Sequence, residues 1–354
     1  MSPRRKKRLD PAAFALPVEA IRSGHYTDTY FVRTREILAA EGRSPRVTIQ
    51  VSGKKLGYLS GIDESIAVLK LCSDDWSALT VHALVEGDFY DDWETVMTIE
   101  GPYSSFIHLE TIYLGLLARR TAICTNARYL VEAARPKPVM FFGARDDHFL
   151  TQPGDGYAAA SGGILAFSTD AQASLVGRKG VGTIPHALIA AFRGDTVKAT
   201  KAFAKHTDPA VDLVALVDYD NDSVRTSLEV ARALEGRLWG VRLDTGENMV
   251  DKSLFTQMGS FRPTGVNAQL VWNVRNALDA EGFGDVKIVV SGGFDAERIS
   301  GFEEEGVPVD VYGVGASLYD GRYDFTADIV MVDGKPQAKA GRALQENPRL
   351  ARVQ

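Results

Sequence analysis

The chain has 354 residues, of which 45% are hydrophobic and 24% charged, and its net charge is −6. That profile belongs to a globular protein with room for two domains, and the negative balance excludes a general nucleic-acid binder. No apolar run of about 18 residues is present, which excludes a membrane-spanning helix.

The chain opens on Arg4-Arg5-Lys6-Lys7-Arg8, and residues 1–11 read as a disordered basic tail. No apolar segment follows it, so secretion is not expected. Only Cys72 and Cys124 are present, too few for a disulfide framework or a thiolate zinc site, and a reducing cytoplasm fits best.

Residues 12–135 read as a mixed α/β domain. Extended runs at Arg46–Val51, Leu79–Leu84 and Val96–Ile99 are punctuated by Ser52-Gly53 and Glu86-Gly87-Asp88, with one helix at Ile62–Leu71. Asp28-Thr29-Tyr30-Phe31 reads as a polar and aromatic segment ahead of any regular element. A long helix is expected from Ser105 to about Ala134, ended by Arg135-Pro136.

From 136 to 321 the rhythm becomes strand, loop, helix. Strands are expected at Val139–Phe142, Leu175-Val176, Leu213–Val217, Leu238–Leu243, Val286–Val290 and Val309–Tyr312. Helices are expected at Tyr157–Phe167, Pro185–Phe192, Ser223–Leu234 and Ala268–Asp279. Near-continuous apolar strands alternating with helices imply a parallel sheet covered on both faces. Six or seven units suggest an irregular (β/α) barrel, with an open doubly wound sheet as the rival architecture. Residues 322–354 contain a strand–turn–strand around Asp333-Gly334, expected to return to the N-terminal sheet.

In such a barrel the loops after the strands carry the chemistry. Here they carry Arg145 after the first strand, Arg178 and Lys179 before Thr183, Asp218, Asp220 and Asp222 after the Leu213 strand, and Arg242 with Asp244. Arginines suit phosphates or carboxylates, and aspartates beside them suit a bridging Mg²⁺, with Asp218, Asp220 and Asp244 as candidate ligands. His186 lies in the first turn of its helix, where an imidazole can act on phosphate, and His148 reads as structural. Phe142 and Arg145 are spaced to hold a planar anionic ring between an aromatic face and a guanidinium. Ser291-Gly292-Gly293 and Gly313-Val314-Gly315 close the last two strands, where backbone amides make a phosphate cradle.

These strings, in order, resemble nicotinate phosphoribosyltransferase: Thr27–Phe31, Phe141–Arg145, Gly182–Ile189, Asp218–Asp220, Arg242–Gly246, Ser291–Gly293 and Tyr312–Gly315. The resemblance implies a type II phosphoribosyltransferase fold, nicotinate and 5-phosphoribosyl 1-diphosphate as substrates, Mg²⁺, and ATP as co-substrate through phosphorylation of His186. It implies a homodimer in which Tyr30 of one subunit stacks on the pyridine ring opposite Phe142 of the other, with Asp28 beside it. Arg145 and Thr183 would line the ring pocket, and Arg242 and Asp244 would hold ribose and diphosphate. Gly292, Gly293, Gly313, Gly315 and Lys339 would bind the 5′-phosphate. Ala187 stands where some branches carry an acidic residue after the histidine, a departure that bears on ATP coupling. Quinolinate, nicotinamide and a non-catalytic metabolite-binding barrel are the alternatives.

Overall fold

The computed structural model describes residues 8–354 apart from 235 and 260. The chain forms two compact units. One takes the chain up to Arg128, the segment Pro153–Gly163 and the stretch Tyr319–Gln354; the other takes Tyr129–Gln152 and Ile164–Leu318. Of the expected basic tail, residues 1–7 lie outside the described residues. Arg8 departs from that expectation: it pairs with the Asp63 carboxylate at 2.8 Å, and Asp10 caps a short 3-10 turn at Pro11–Phe14.

The first unit is built on a six-stranded antiparallel sheet. Its spatial order is Lys335–Pro336, Phe325–Val332, Arg46–Gly53, Thr95–Pro102, Thr80–Ala83 and Ala351–Arg352. The C-terminal strand returns as expected, pairing Ile49 with Ile329 and Gly53 with Phe325. Val47, Ile49 and Val51 alternate along one face of their strand into a core shared with Leu59, Ile62, Leu69, Val96 and Tyr113. The helix Ile62–Cys72 is buried along nearly its whole length. The long helix starts at Glu110, five residues later than expected, because residues 103–109 are taken up by two 3-10 turns. Asp28–Phe31 is not a segment ahead of regular structure. A helix already spans Val18–Arg22, and Thr29 opens another, Thr29–Ala40, with Phe31 buried and Tyr30 exposed.

This unit also buries charge. Arg120 bridges Glu64 and Asp155, which also receives Arg119. Asp63 accepts from Arg8, from the Leu9 N–H at 3.0 Å and from the Tyr157 hydroxyl at 2.9 Å. Glu86 is the exception. Its Oε1 accepts the Asp63 N–H, and burial followed by the neighbouring Asp63 carboxylate pushes its pKa up to about 8, against the smaller opposing effects of the Asp63 N–H and the Ser60 hydroxyl.

The second unit is a parallel six-stranded sheet of the α/β class. Its strands are β1 (Val139–Phe141), β2 (Ala166–Phe167), β3 (Val214–Leu216), β4 (Gly240–Leu243), β5 (Lys287–Val290) and β6 (Val311–Val314). After a one-turn helix at Asp170–Ala173, its longer helices are α1 (His186–Ala191), α2 (Thr196–His206), α3 (Ser223–Leu234), α4 (Ala268–Ala280) and α5 (Ala296–Glu304). The spatial order β2-β1-β6-β5-β4-β3 is a barrel circuit broken once, between β2 and β3. The strand expected at Leu175-Val176 would have closed it, but Ser174–Val176 is a 3-10 turn. The chain crosses the break as an irregular segment. Val181 donates its N–H to Phe167 at 2.7 Å, and Ile184 donates to Val214 at 3.4 Å. Gly180, Gly182 and Pro185 explain why no ladder forms there: glycine weakens a strand and proline cannot donate. Gly180 is required by close approach, since a Cβ there would come within 2.7 Å of the Thr169 backbone. The helix expected at Tyr157–Phe167 runs instead over Gln152–Gly162, and the residues that follow it form β2.

Glu86 makes stability depend on pH with a definite sign. A carboxyl whose folded pKa of about 8 lies above its ordinary value near 4.5 stays protonated in the fold while the unfolded chain ionises. Stability is therefore highest below the lower value and is lost as pH rises towards about 8. Calorimetric melting across this range is expected to show a smaller fall in Tm for Glu86→Gln than for wild type. Parallel curves would contradict the assignment.

Candidate active site

The C-terminal ends of the barrel strands gather the polar residues of the second unit. Arg242, near the end of β4, is the hub. Its Nε donates to Ser291 Oγ at 2.8 Å, its Nη1 to Thr183 Oγ1 at 3.1 Å, and its Nη2 lies 3.2 Å from Asp244 Oδ2. The guanidinium also sits 4.8 Å from the centroid of the Phe142 ring, a cation–π geometry. Ser291 in turn donates to Asp244 Oδ1 at 2.6 Å. One cation thus links the residues after β4 and β5, the irregular crossing, and the residue after β1.

Phe142 has its place because its neighbour has no side chain. A Cβ at Gly313, in the middle of β6, would come within 2.5 Å of the Phe142 ring. Gly315 is similar: a Cβ there would come within 2.7 Å of Asp146 Oδ2. Gly292 and Gly293 have φ of +89° and +69°, the left-handed region that favours glycine. Among the described residues, the N–H groups of Gly293, Phe294, Gly315 and Ala316 donate to no protein group. Two turns at adjacent strand ends therefore present unspent donors.

His186 opens α1, with its Nε2 3.2 Å from Asp218 Oδ1 at the end of β3. The imidazole is nearly half exposed and the carboxylate is buried. Burial raises the Asp218 pKa and Asp244 adds to the rise, while His186 opposes it.

The structure thus brings Phe142, Thr183, His186, Asp218, Arg242, Asp244, Gly292, Gly293, Gly313 and Gly315 to one rim. Arg145 stands exposed on the loop after β1. Asp220 is not with them: it pairs with Arg225 at 2.9 Å, as do Asp222 and Glu229. The expected triad Asp218, Asp220 and Asp244 is thereby corrected, because Asp220 is spent on α3. No group of three or more His, Cys, Asp or Glu side chains suited to a metal exists among the described residues. Asp218 and Asp244, near enough for one to raise the pKa of the other, remain as a pair. Arg178 is tied to the Leu165 carbonyl at 2.9 Å. His148 caps a 3-10 turn through its ring nitrogen, the structural role expected of it. Asp28, Tyr30 and Lys339 belong to the first unit. Ser291 was not singled out from the sequence, although its place directly before Gly292-Gly293 was a usable signal, since a hydroxyl at a strand end faces the rim.

Residues 28–121 match a family model described as quinolinate phosphoribosyl transferase, N-terminal domain. The structure of nicotinate-nucleotide pyrophosphorylase from Pyrococcus furiosus is 35% identical, with a TM-score of 0.80 over 96% of this chain and 85% of that one. A nicotinate phosphoribosyltransferase of Mycobacterium tuberculosis is 30% identical over 276 residues, which is 76% of this chain and 57% of that protein. Human nicotinic acid phosphoribosyltransferase shares the fold at 20% identity, with a TM-score of 0.72 over 90% of this chain and 77% of that one. The chain belongs to the nicotinate phosphoribosyltransferase family. It spans about half the length of the curated relatives it matches.

The Gly313–Phe142 contact yields a prediction that needs no ligand. Gly313→Ala forces the ring to move, an overpacking change worth about 1–3 kcal/mol. A Tm fall is expected, with Phe142 displaced in the variant's crystal structure. Gly182→Ala, where a Cβ meets open space, is expected to leave Tm unchanged. An unmoved Phe142 in Gly313→Ala would contradict this.

Proposed function

We propose that the chain forms nicotinate mononucleotide and diphosphate from nicotinate and 5-phosphoribosyl 1-diphosphate. The observation that carries this reading is the Arg242 cluster beside the two amide-bearing glycine turns. One part of the rim offers an aromatic face and a cation, and the other offers donors for a phosphate.

In this reaction the pyridine nitrogen attacks the anomeric carbon as the bond to diphosphate breaks. The electron pair leaves with diphosphate, the ring nitrogen takes the positive charge, and no proton moves. The chain therefore supplies position and charge rather than a base. Phe142 provides one stacking face for the ring, and Tyr30 from a partner subunit provides the other. Arg242 is held rigid by Thr183, Ser291 and Asp244, so its charge is preorganised for the departing diphosphate. Asp244 and the buried Asp218 stabilise positive charge developing on the ribose. The amides of Gly293, Phe294, Gly315 and Ala316 hold the 5′-phosphate. Asp218 and Asp244 also suit Mg²⁺, which binds through one or two carboxylates plus substrate phosphates and would neutralise diphosphate charge.

ATP coupling through His186 belongs to the same reading. Asp218 accepting from Nε2–H leaves the lone pair on Nδ1, the nucleophilic nitrogen, on an exposed ring. The free cysteines Cys72 and Cys124 suit a reducing, cytoplasmic setting.

Quinolinate is the second reading, favoured by the name of the matching family model. It carries two ring carboxylates and needs two uncommitted cations. The curated relatives that the chain matches are instead named for nicotinate, which carries one ring carboxylate, and Arg145 stands exposed on the rim loop.

Incubation with phosphoribosyl diphosphate, Mg²⁺ and either nicotinate, nicotinamide or quinolinate, with and without ATP, tests the proposal. Mononucleotide from nicotinate is expected, and product from quinolinate alone would overturn it. Arg242→Ala is expected to lower kcat/KM by about 10²–10³, the scale for loss of a preorganised charge contact. Unchanged kinetics would remove Arg242 from the mechanism.

A further inference from the structure

Helix α5, which follows the first glycine turn, folds one of its own side chains back onto that turn. Asp295 caps the helix by accepting the Arg298 N–H at 2.8 Å. The Arg298 side chain then doubles back. Its Nη1 donates to the carbonyls of Gly292 at 2.7 Å and Gly293 at 3.0 Å, and its Nη2 donates to the carbonyl of Val266. The guanidinium lies over the Phe294 ring, 4.1 Å from its centroid. One planar group thus fixes two successive peptide carbonyls and is itself held flat by an aromatic face.

The N–H and C=O of a trans peptide point in opposite directions. Fastening the oxygens of Gly292 and Gly293 therefore aims the N–H groups of Gly293 and Phe294 away from Arg298. Neither N–H has a protein partner among the described residues. Glycine has little intrinsic preference for the left-handed conformation over others, so two in succession do not hold their peptide planes unaided. Among the described residues, Arg298 is the side-chain donor to both carbonyls. It does not serve as an anion ligand itself. The cavity of about 300 Å³ on its side of the turn is lined by Glu247 and Arg262 together, and the Arg298 donors that would face it are taken by the three carbonyls.

We infer that Arg298 is a positioning residue for the sugar phosphate. It touches no substrate, but it sets the direction of the two amides that grip the 5′-phosphate. This rests on the proposed function, in which that phosphate sits on the glycine turn. A general phosphate affinity is thereby converted into an oriented one, because Nη1 reaches both glycine carbonyls while Nη2 anchors the same rigid plane on Val266, where a lysine has a single nitrogen and no fixed plane.

The test is calorimetric titration of ribose 5-phosphate into wild type, Arg298→Ala and Arg298→Lys, with steady-state kinetics of each. Arg298→Ala is expected to bind ribose 5-phosphate roughly tenfold to a hundredfold more weakly, the scale of a displacement near 1 Å in a positioning contact. The KM for phosphoribosyl diphosphate is expected to rise with it, while the KM for nicotinate stays within about twofold. Arg298→Lys is expected to fall between, and added methylguanidinium to restore part of the Arg298→Ala loss. If Arg298→Ala does not fold, as judged by its melting curve, the lysine variant carries the comparison. Equal ribose 5-phosphate affinity in wild type and variants, or an equal rise in both KM values, would overturn the inference. Wild type that binds ribose 5-phosphate but makes no mononucleotide would defeat the proposed activity alone, since the binding comparison still judges Arg298. Wild type that does not bind it would overturn both.

Discussion

The site depends on one guanidinium. Arg242 donates to Thr183 and Ser291, pairs with Asp244 and lies over Phe142. Each partner comes from a different place in the chain, so a single planar cation sets the relative positions of four rim elements. Its fork geometry makes this possible, because several donors in one plane fix direction as well as distance. Desolvation strengthens the arrangement, since Arg242 and Asp244 are both largely shielded from water.

The break in the barrel follows from the same region. A regular seventh strand between β2 and β3 would pair with both neighbours along its length. The glycine-rich crossing instead makes one hydrogen bond to each neighbouring strand, then delivers Thr183 to Arg242 and His186 to Asp218. The local loss of sheet is offset by two side-chain contacts at the rim. Strain and irregularity concentrated where chemistry is served is the general pattern for such sites.

Much of this arrangement was legible in the sequence, for identifiable reasons. The parallel strands could be read because, buried on both faces, they are runs of Val, Ile and Leu. The glycine turns could be read because only glycine supplies the backbone they need. Arg242 and Asp244 stood out as charges at the end of an apolar run. Other features are set by three-dimensional neighbours. Leu175-Val176 has a strand's composition, yet flanking glycines and the shape of the gap turn it into a 3-10 turn. Asp220 has a metal ligand's chemistry, yet Arg225 five residues on claims it. Asp28–Phe31 hid a helix start because its helix is held by a single buried phenylalanine and shows little periodicity. Arg298 was invisible because its partners are carbonyls, which every sequence has.

The central claim is that the rim of the second unit binds a sugar phosphate by its backbone and a pyridine by its aromatic face. A crystal structure with nicotinate mononucleotide bound tests it most directly. The account predicts the phosphate within hydrogen-bond distance of the Gly293 and Gly315 amides and the pyridine stacked on Phe142. A nucleotide whose phosphate lies away from both glycine turns, or whose ring leaves Phe142 uncovered, would contradict it.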